Sequence, residues 1–281
     1  MALGAAALAL FSAAQEPPKM LLESLGKDFT FTEGPVWSRD GFLIFSDTAT
    51  DRIFKLTPGS DPVLIRKDAN GPSGNAFDSQ GRLYTCETHA RRITRTGRDN
   101  HVEVLIDQFE GKKLNAPNDV TVSKNDHIYF TDPAFGQQAD HRELDFYGVY
   151  HIPPKGAVKL IAKPTGRPNG IALSPNGKIL YVTNSDERNV RAYDIDRNGD
   201  GANERVVIAK TVGVPGGIRV GEKGELYVAT AKGISIYAAD GKFVRTHELH
   251  DPPSNCAIDP TGGIYLTSRN FLYLLHADAR Q

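Results

Sequence analysis

Thr32-Glu33-Gly34-Pro35-Val36-Trp37-Ser38-Arg39-Asp40-Gly41-Phe42-Leu43-Ile44-Phe45-Ser46-Asp47 reads as two short apolar strands joined by a polar turn that ends in glycine. An acid stands at its head and another at its close. Trp37 precedes Gly41 by four residues, and the step recurs as Phe77 and Gly81, Val122 and Asp126, Leu173 and Gly177, Val220 and Gly224, and Ile258 and Gly262. Each turn leads into an apolar strand: Leu83-Tyr84-Thr85, Ile128-Tyr129-Phe130, Leu180-Tyr181-Val182, Leu226-Tyr227-Val228 and Ile264-Tyr265-Leu266. The turn residues lie 40, 45, 51, 47 and 38 positions apart. Six β-rich units of this length indicate four-stranded blades arranged radially, because no unit can bury its apolar face alone. The expected fold is all-β, a six-bladed β-propeller formed by residues 18–281 as one domain. The sixth unit has only Phe271-Leu272-Tyr273-Leu274-Leu275 after its turn strand. Met20-Leu21-Leu22 or Phe29-Thr30-Phe31 would have to complete it and close the ring.

Residues 1–17 differ in kind. Ala2 to Phe11 is uncharged and apolar, and Ser12-Ala13-Ala14 resembles a small-residue cleavage site. The run is too short to span a bilayer. It reads as a signal peptide or a leader without fixed structure. That predicts a periplasmic or secreted protein, with a cytoplasmic one as the alternative. The net charge of −1 in 281 residues gives no basis for binding nucleic acid or an anionic membrane surface. Nothing specifies the oligomeric state. Cys86 and Cys256, the two cysteines, read as buried thiols, with a single disulfide as the alternative.

Inner strands of a propeller line its axis, so equivalent positions form a ring. Four residues before the Trp37 position stand Glu33, Ser73, Asn118, Asn169, Gly216 and Ser254, all polar or small. A polar ring heading apolar strands must be hydrated or occupied. Glu33, Asn118 and Asn169 offer hard oxygen donors suited to one divalent cation: Ca²⁺ first, with Mg²⁺, Mn²⁺, Zn²⁺ or Fe²⁺ as alternatives. Turn capping is the blander role for the asparagines. A second set, Asp47, Glu87, Asp132, Asn184, Thr230 and Ser268, closes the following strands. Its ordinary role is to bond loop backbone, although Glu87 and Asp132 are candidate ligand contacts.

Glu33-Gly34-Pro35-Val36-Trp37, Tyr84-Thr85-Cys86-Glu87 with Arg91-Arg92-Ile93-Thr94-Arg95, Leu114-Asn115-Ala116-Pro117-Asn118-Asp119-Val120, Ile128-Tyr129-Phe130-Thr131-Asp132-Pro133 and Arg167-Pro168-Asn169-Gly170-Ile171-Ala172 occur in that order. Together, over roughly residues 25–275, they resemble the senescence marker protein (regucalcin) / gluconolactonase / luciferin-regenerating-enzyme family, its bacterial gluconolactonase branch above all. The resemblance implies a propeller holding a divalent cation in its channel and hydrolysing sugar lactones. It implies Glu33 and Asn169 as metal ligands, with Asn118 beside the metal as a ligand or a substrate contact. Where the family carries Pro-Asp-Gly in blade five, with an Asp that binds metal and acts as the base, this chain has Pro215-Gly216-Gly217. The ring charge falls from −2 to −1. Asp119, Glu87 or Asp132 would then have to serve as base, Asp119 being the choice, while Asn118, Glu87, Asp132 and Arg92 would contact substrate. A non-catalytic sugar- or metabolite-binding propeller is the alternative, and a protein-binding scaffold the third reading.

Other features carry less. Asp194 to Gly201 begins like a calcium-binding EF-hand loop, but position twelve is Arg205 where a glutamate is needed, so it reads as a polar hairpin loop. His89 is a candidate pocket residue. No nucleophile elbow or phosphate-binding glycine loop is present.

Overall fold

A computed structural model describes residues 19–278. The leader read at residues 1–17 lies outside the described residues. Six four-stranded antiparallel sheets follow one another around an axis. Blade one comprises Thr32–Trp37, Leu43–Asp47, Arg52–Leu56 and Val63–Arg66, from the axis outward. Blades two to five repeat this order and begin at Pro72–Phe77, Val120–Val122, Pro168–Leu173 and Pro215–Val220. Blade six joins Asn255–Ile258, Ile264–Ser268 and Phe271–Ala277 to Met20–Gly26, which pairs antiparallel with Phe271–Ala277 as the outermost strand. The ring is therefore closed by the N-terminal strand. Phe29-Thr30-Phe31 forms no strand: Phe29 packs edge-on against Phe45 and Phe54, and Phe31 runs on toward the axis. Among the described residues no helix is long and apolar enough to cross a membrane.

The second strand of each blade is buried on both faces, because successive side chains point to opposite sides and each side meets a neighbouring blade. In Leu43–Asp47, Leu43 and Phe45 pack against Tyr265 and Leu272 of blade six, while Ile44 joins Leu83 of blade two. Trp37 stacks on Tyr265 across the same closing interface, ring centroids 5.3 Å apart. The other interfaces follow suit, for example Tyr84 and Cys86 with Phe130 and Tyr150, or Tyr181 with Val228. Cys86 and Cys256 are both free and buried in these layers.

At the axis the inner strands approach closely enough to bond one another. Gly74 N–H donates to Asn118 O and Gly217 N–H to Ser254 O, both at 2.8 Å. Hydroxyls add further links: Ser46 to Ser73 O, Thr131 to Asn169 O, Thr183 to Gly216 O and Ser254 to Thr32 O. Such approach needs residues without side chains. The residue after each ring position is Gly34, Gly74, Asp119, Gly170, Gly217 or Asn255. A Cβ at Gly34 would overlap the Ser73 carbonyl oxygen, and one at Gly170 would lie 2.6 Å from Gly217 Cα. Gly34→Ala should therefore cost roughly 3 kcal/mol or more, combining backbone overlap with its positive φ. Gly41→Ala, also at positive φ but with open space around it, should cost about 1 kcal/mol. Urea unfolding of both variants checks the contrast; equal losses would remove close axial approach as the constraint.

Candidate active site

Two adjoining cavities of about 510 and 380 Å³ open at the head of the inner strands and share Phe31, Glu33, Phe135 and Asn169 as lining residues. Between them they are lined by all six ring residues: Glu33, Ser73, Asn118, Asn169, Gly216 and Ser254. The strand pairing is irregular at this level in four blades, between Glu33 and Val36, Pro72 and Asn75, Pro168 and Ile171, and Pro215 and Ile218. Such irregularities re-aim side chains.

Glu33 is nearly buried, at 9% exposed. Its Oε2 accepts from Gly34 N–H at 3.0 Å and faces Asn255 Nδ2 at 3.5 Å. Burial is the largest influence on its carboxyl and pushes the pKa up to about 7, with the Asp119 charge adding to the rise. Asn169 Nδ2 donates to the Ser185 hydroxyl at 3.1 Å, which in turn donates to Pro215 O at 2.9 Å. With its nitrogen so engaged, Asn169 keeps its Oδ1 for a ligand. Asn118 is fixed through its backbone, its N–H on Thr131 O and its carbonyl receiving Gly74 N–H.

The two other predicted acids of the strand ends do not reach these cavities. Asp132 is fully buried and accepts from Asn115 N–H and Ala116 N–H, both at 2.8 Å. It holds the segment that carries Asn118, and burial raises its pKa to about 7. Asp47 grips Thr30 N–H and Phe31 N–H in the same manner. Glu87 is fully buried between Arg66 and Arg92, with Thr94 Oγ1 at 3.0 Å. Arg92 is thereby committed to Glu87 at 2.7 Å, and neither lines the mouth.

Asp119, the choice for base, lies one layer beneath the ring and is fully buried. Its Oδ1 accepts from Val120 N–H at 3.0 Å, and its Oδ2 faces Arg219 at 3.3 Å, Ile171 N–H at 3.3 Å and Asn255 Nδ2 at 3.4 Å. Both oxygens are taken, and it lines neither cavity. Asp119, Arg219 and Asn255 instead fill the channel under Glu33. Gly216 sits at the mouth as the ring position requires, but its backbone is drawn against blade six. A Cβ there would overlap the Ser254 carbonyl oxygen, so Gly216→Asp would not restore an acid without moving the strands apart.

His89 lines the smaller cavity. Its Nδ1 lies 3.4 Å from Asp51 Oδ1, and Asp51 also receives Gly71 N–H. Gly71 has no side chain where the imidazole packs; a Cβ would lie 2.7 Å from its Nδ1. The larger cavity brings in Arg167, Asp186, Arg188 and Arg269, which sequence reasoning missed. A signal existed: Arg188 follows Asn184 by four, as Asp51 follows Asp47 and Arg91 follows Glu87. All three occupy the left-handed region in the turn after the second strand.

The hairpin loop at Asp194–Gly201 is held by its own side chains. Asp196 accepts from Asn198 N–H and Asp200 N–H, and Asp194 pairs with Arg205. Among the described residues no cluster of three or more histidine, cysteine or acidic side chains is assembled. A cation at the mouth would rest on Glu33 and the amide oxygens of Asn118 and Asn169. That set fits a hard divalent ion, since Glu33 Oε1 and both amide oxygens are without hydrogen-bond donors among the described residues, and a buried carboxylate raised by burial is one that a cation would hold ionised.

Comparison with known proteins agrees with this fold. The family model described as SMP-30/Gluconolactonase/LRE-like region matches residues 31–270. A gluconolactonase of Zymomonas mobilis is 30% identical over 273 residues, spanning 86% of this chain and 76% of that one. A solved gluconolactonase from Xanthomonas campestris superposes with a TM-score of 0.86 at 30% identity, covering 92% of this chain and 90% of its own. A luciferin-regenerating enzyme shares the fold, with a TM-score of 0.79 at 21% identity. With six blades, a polar ring headed by Glu33 and a family match over nearly all its strands, the chain belongs to the SMP-30/gluconolactonase/LRE-like family.

Proposed function

We propose that this protein hydrolyses a sugar lactone at the channel mouth, with one divalent cation held by Glu33, Asn118 and Asn169. The observation that carries the reading is the buried Glu33 carboxylate, set beside two amide oxygens on a cavity large enough for a monosaccharide. The gluconolactonase relatives from Zymomonas mobilis and Xanthomonas campestris support it. When bound, the cation would polarise the ring carbonyl and stabilise the oxyanion that develops on it.

The chain's own residues supply the rest. Ser185 holds the Asn169 amide by its nitrogen, fixing the direction of its oxygen. Phe31 and Phe135 border both cavities and give a sugar ring apolar surface to rest on. The attacking water needs a proton acceptor within hydrogen-bond reach. With Asp119 out of reach and Gly216 without a side chain, His89 takes that role: Asp51 engages Nδ1 and leaves Nε2 as the acceptor. The closed-up backbone at Gly216 favours a second reading, a propeller that binds sugar acids or lactones without turning them over.

Two measurements test these statements. Acid release from D-glucono-1,5-lactone, followed in a pH-stat, should exceed the solvent rate and fall on chelation. His89→Gln should lower kcat by about 10²-fold with KM nearly unchanged. Binding without turnover would select the second reading, and an unaltered kcat in the variant would remove His89 as base.

Stability should follow the sign of the Glu33 shift. Its folded pKa of about 7 lies above the ordinary 4.5. The folded state therefore holds the proton more tightly, and stability is lost as pH rises from 4.5 through 7. Glu33→Gln should make the cation-free protein more stable at pH 8 by up to about 3 kcal/mol. Asp132, raised for the same reason, preserves part of the decline in the variant. Added divalent cation should raise the Tm of the native protein and not of the variant; an equal rise in both would place the cation elsewhere.

A further inference from the structure

The larger cavity has an excess of positive charge. Its acids are Glu33 and Asp186, and its cations are Arg167, Arg188 and Arg269. Arg167 and Asp186 satisfy each other, with Arg167 Nε 3.0 and 3.1 Å from the two carboxylate oxygens and the guanidinium lying over the Phe135 ring. Arg188 and Arg269 have no ion-pair or hydrogen-bond partner for their guanidinium groups among the described residues. They enter from opposite sides: Arg188 from the turn of blade four and Arg269 from the turn of blade six, with Pro215-Gly216 of blade five between them. The ring residue on the floor between the two arginines is Gly216, which presents no carboxylate to answer them.

The remaining wall near the arginines is apolar, formed by Val214, Pro215, Pro252 and Pro253. Arg188 and Arg269 are themselves exposed, so solvent and salt screen part of the charge they present. Two unpaired guanidinium groups on a cavity whose Asp186 is taken up by Arg167 and whose Glu33 is nearly buried suit a planar carboxylate or a phosphate, which they bind through forked hydrogen bonds. A neutral polyol gives them nothing of comparable strength.

We propose that the substrate carries a negatively charged group, carboxylate or phosphate, and that Arg188 and Arg269 bind it above Gly216, which makes the preferred substrate an anionic sugar lactone. This rests on the lactone-hydrolase reading for the reaction, but not for the anion site itself. Gly216, which has no side chain, sets no negative charge at this position to repel the anion.

The test uses the full chain with divalent cation present. kcat/KM is measured for neutral D-glucono-1,5-lactone, for a glucaro-lactone bearing a carboxylate, and for 6-phosphoglucono-1,5-lactone. At least one charged lactone should be preferred about tenfold or more, and the charged lactone that is preferred identifies the group. The preference should shrink as ionic strength rises. It should collapse toward parity in the Arg188→Gln/Arg269→Gln double variant, whose unfolding midpoint reports that it is folded. Calorimetric binding of glucarate against neutral glucitol, to both proteins, reads the same site without turnover. If no lactone is hydrolysed, the reaction assignment fails. The anion site then stands if glucarate binds more tightly than glucitol and loses that advantage in the double variant. Parity between neutral and charged ligands in the native protein, or a preference that survives the double variant, overturns the inference.

Discussion

Six inner strands meet at the axis at distances that leave room for few side chains in the layer beneath the mouth. Gly34, Gly74, Gly170 and Gly217 make this possible, and the two remaining positions of that layer are used for polar contact. Asp119 reaches Val120, Ile171, Arg219 and Asn255, tying blades three to six together beneath the ring. The channel is consequently plugged below Glu33, and the site is a cup at one end. A glycine layer and a buried Asp–Arg pair are costly in chain entropy and in desolvation. They are offset by interblade apolar layers in which both faces of every second strand are buried.

That floor accounts for the chemistry available above it. Glu33 is pushed toward neutrality because it sits on a plugged channel with the Asp119 charge below and little water around it. The same carboxyl in an open channel would be an ordinary surface acid. Burial thus turns one glutamate into a carboxyl that titrates near neutral pH, and the irregular strand pairing at the ring presents it to the cup. In the proposed reaction the proton acceptor lies off the axis, an imidazole beside Asp51, which stands in the turn after the second strand of blade one.

Much of this was legible from the repeat. The step from Trp37 to Gly41, aligned six times, gave the blades, and counting back four residues gave six positions that do converge at the mouth. Periodicity reports which face of a strand a residue occupies, and it put Glu33, Asn118 and Asn169 at one level, where all three line the cavities. It does not report which neighbour a charged side chain finds. Glu87 and Asp132 end equivalent strands, yet one is clamped by Arg66 and Arg92 while the other anchors two backbone amides. Asp119 was misjudged by a single residue: one step along an inner strand moves a side chain from the mouth into the plug. The arginines of the mouth lie in turns, where strand periodicity has no hold, and only the recurring left-handed turn position could have flagged Arg188.

The pairing of Met20–Gly26 with Phe271–Ala277 brings both ends of the described chain into one blade. Thr32 then receives Ser268 N–H on its hydroxyl and gives its own N–H to Arg269 O, so the seam runs up to the mouth itself. During synthesis the first strand must wait, unpaired, until the last has been made. Blades one to five can collapse in turn, but the cup lacks one wall and the Glu33 strand lacks a neighbour until the final strands dock. Late sealing of this kind makes folding dependent on contacts between residues about as distant in sequence as the chain allows. It also couples competence at the mouth to completion of the whole ring: a truncated chain has no partial site to offer.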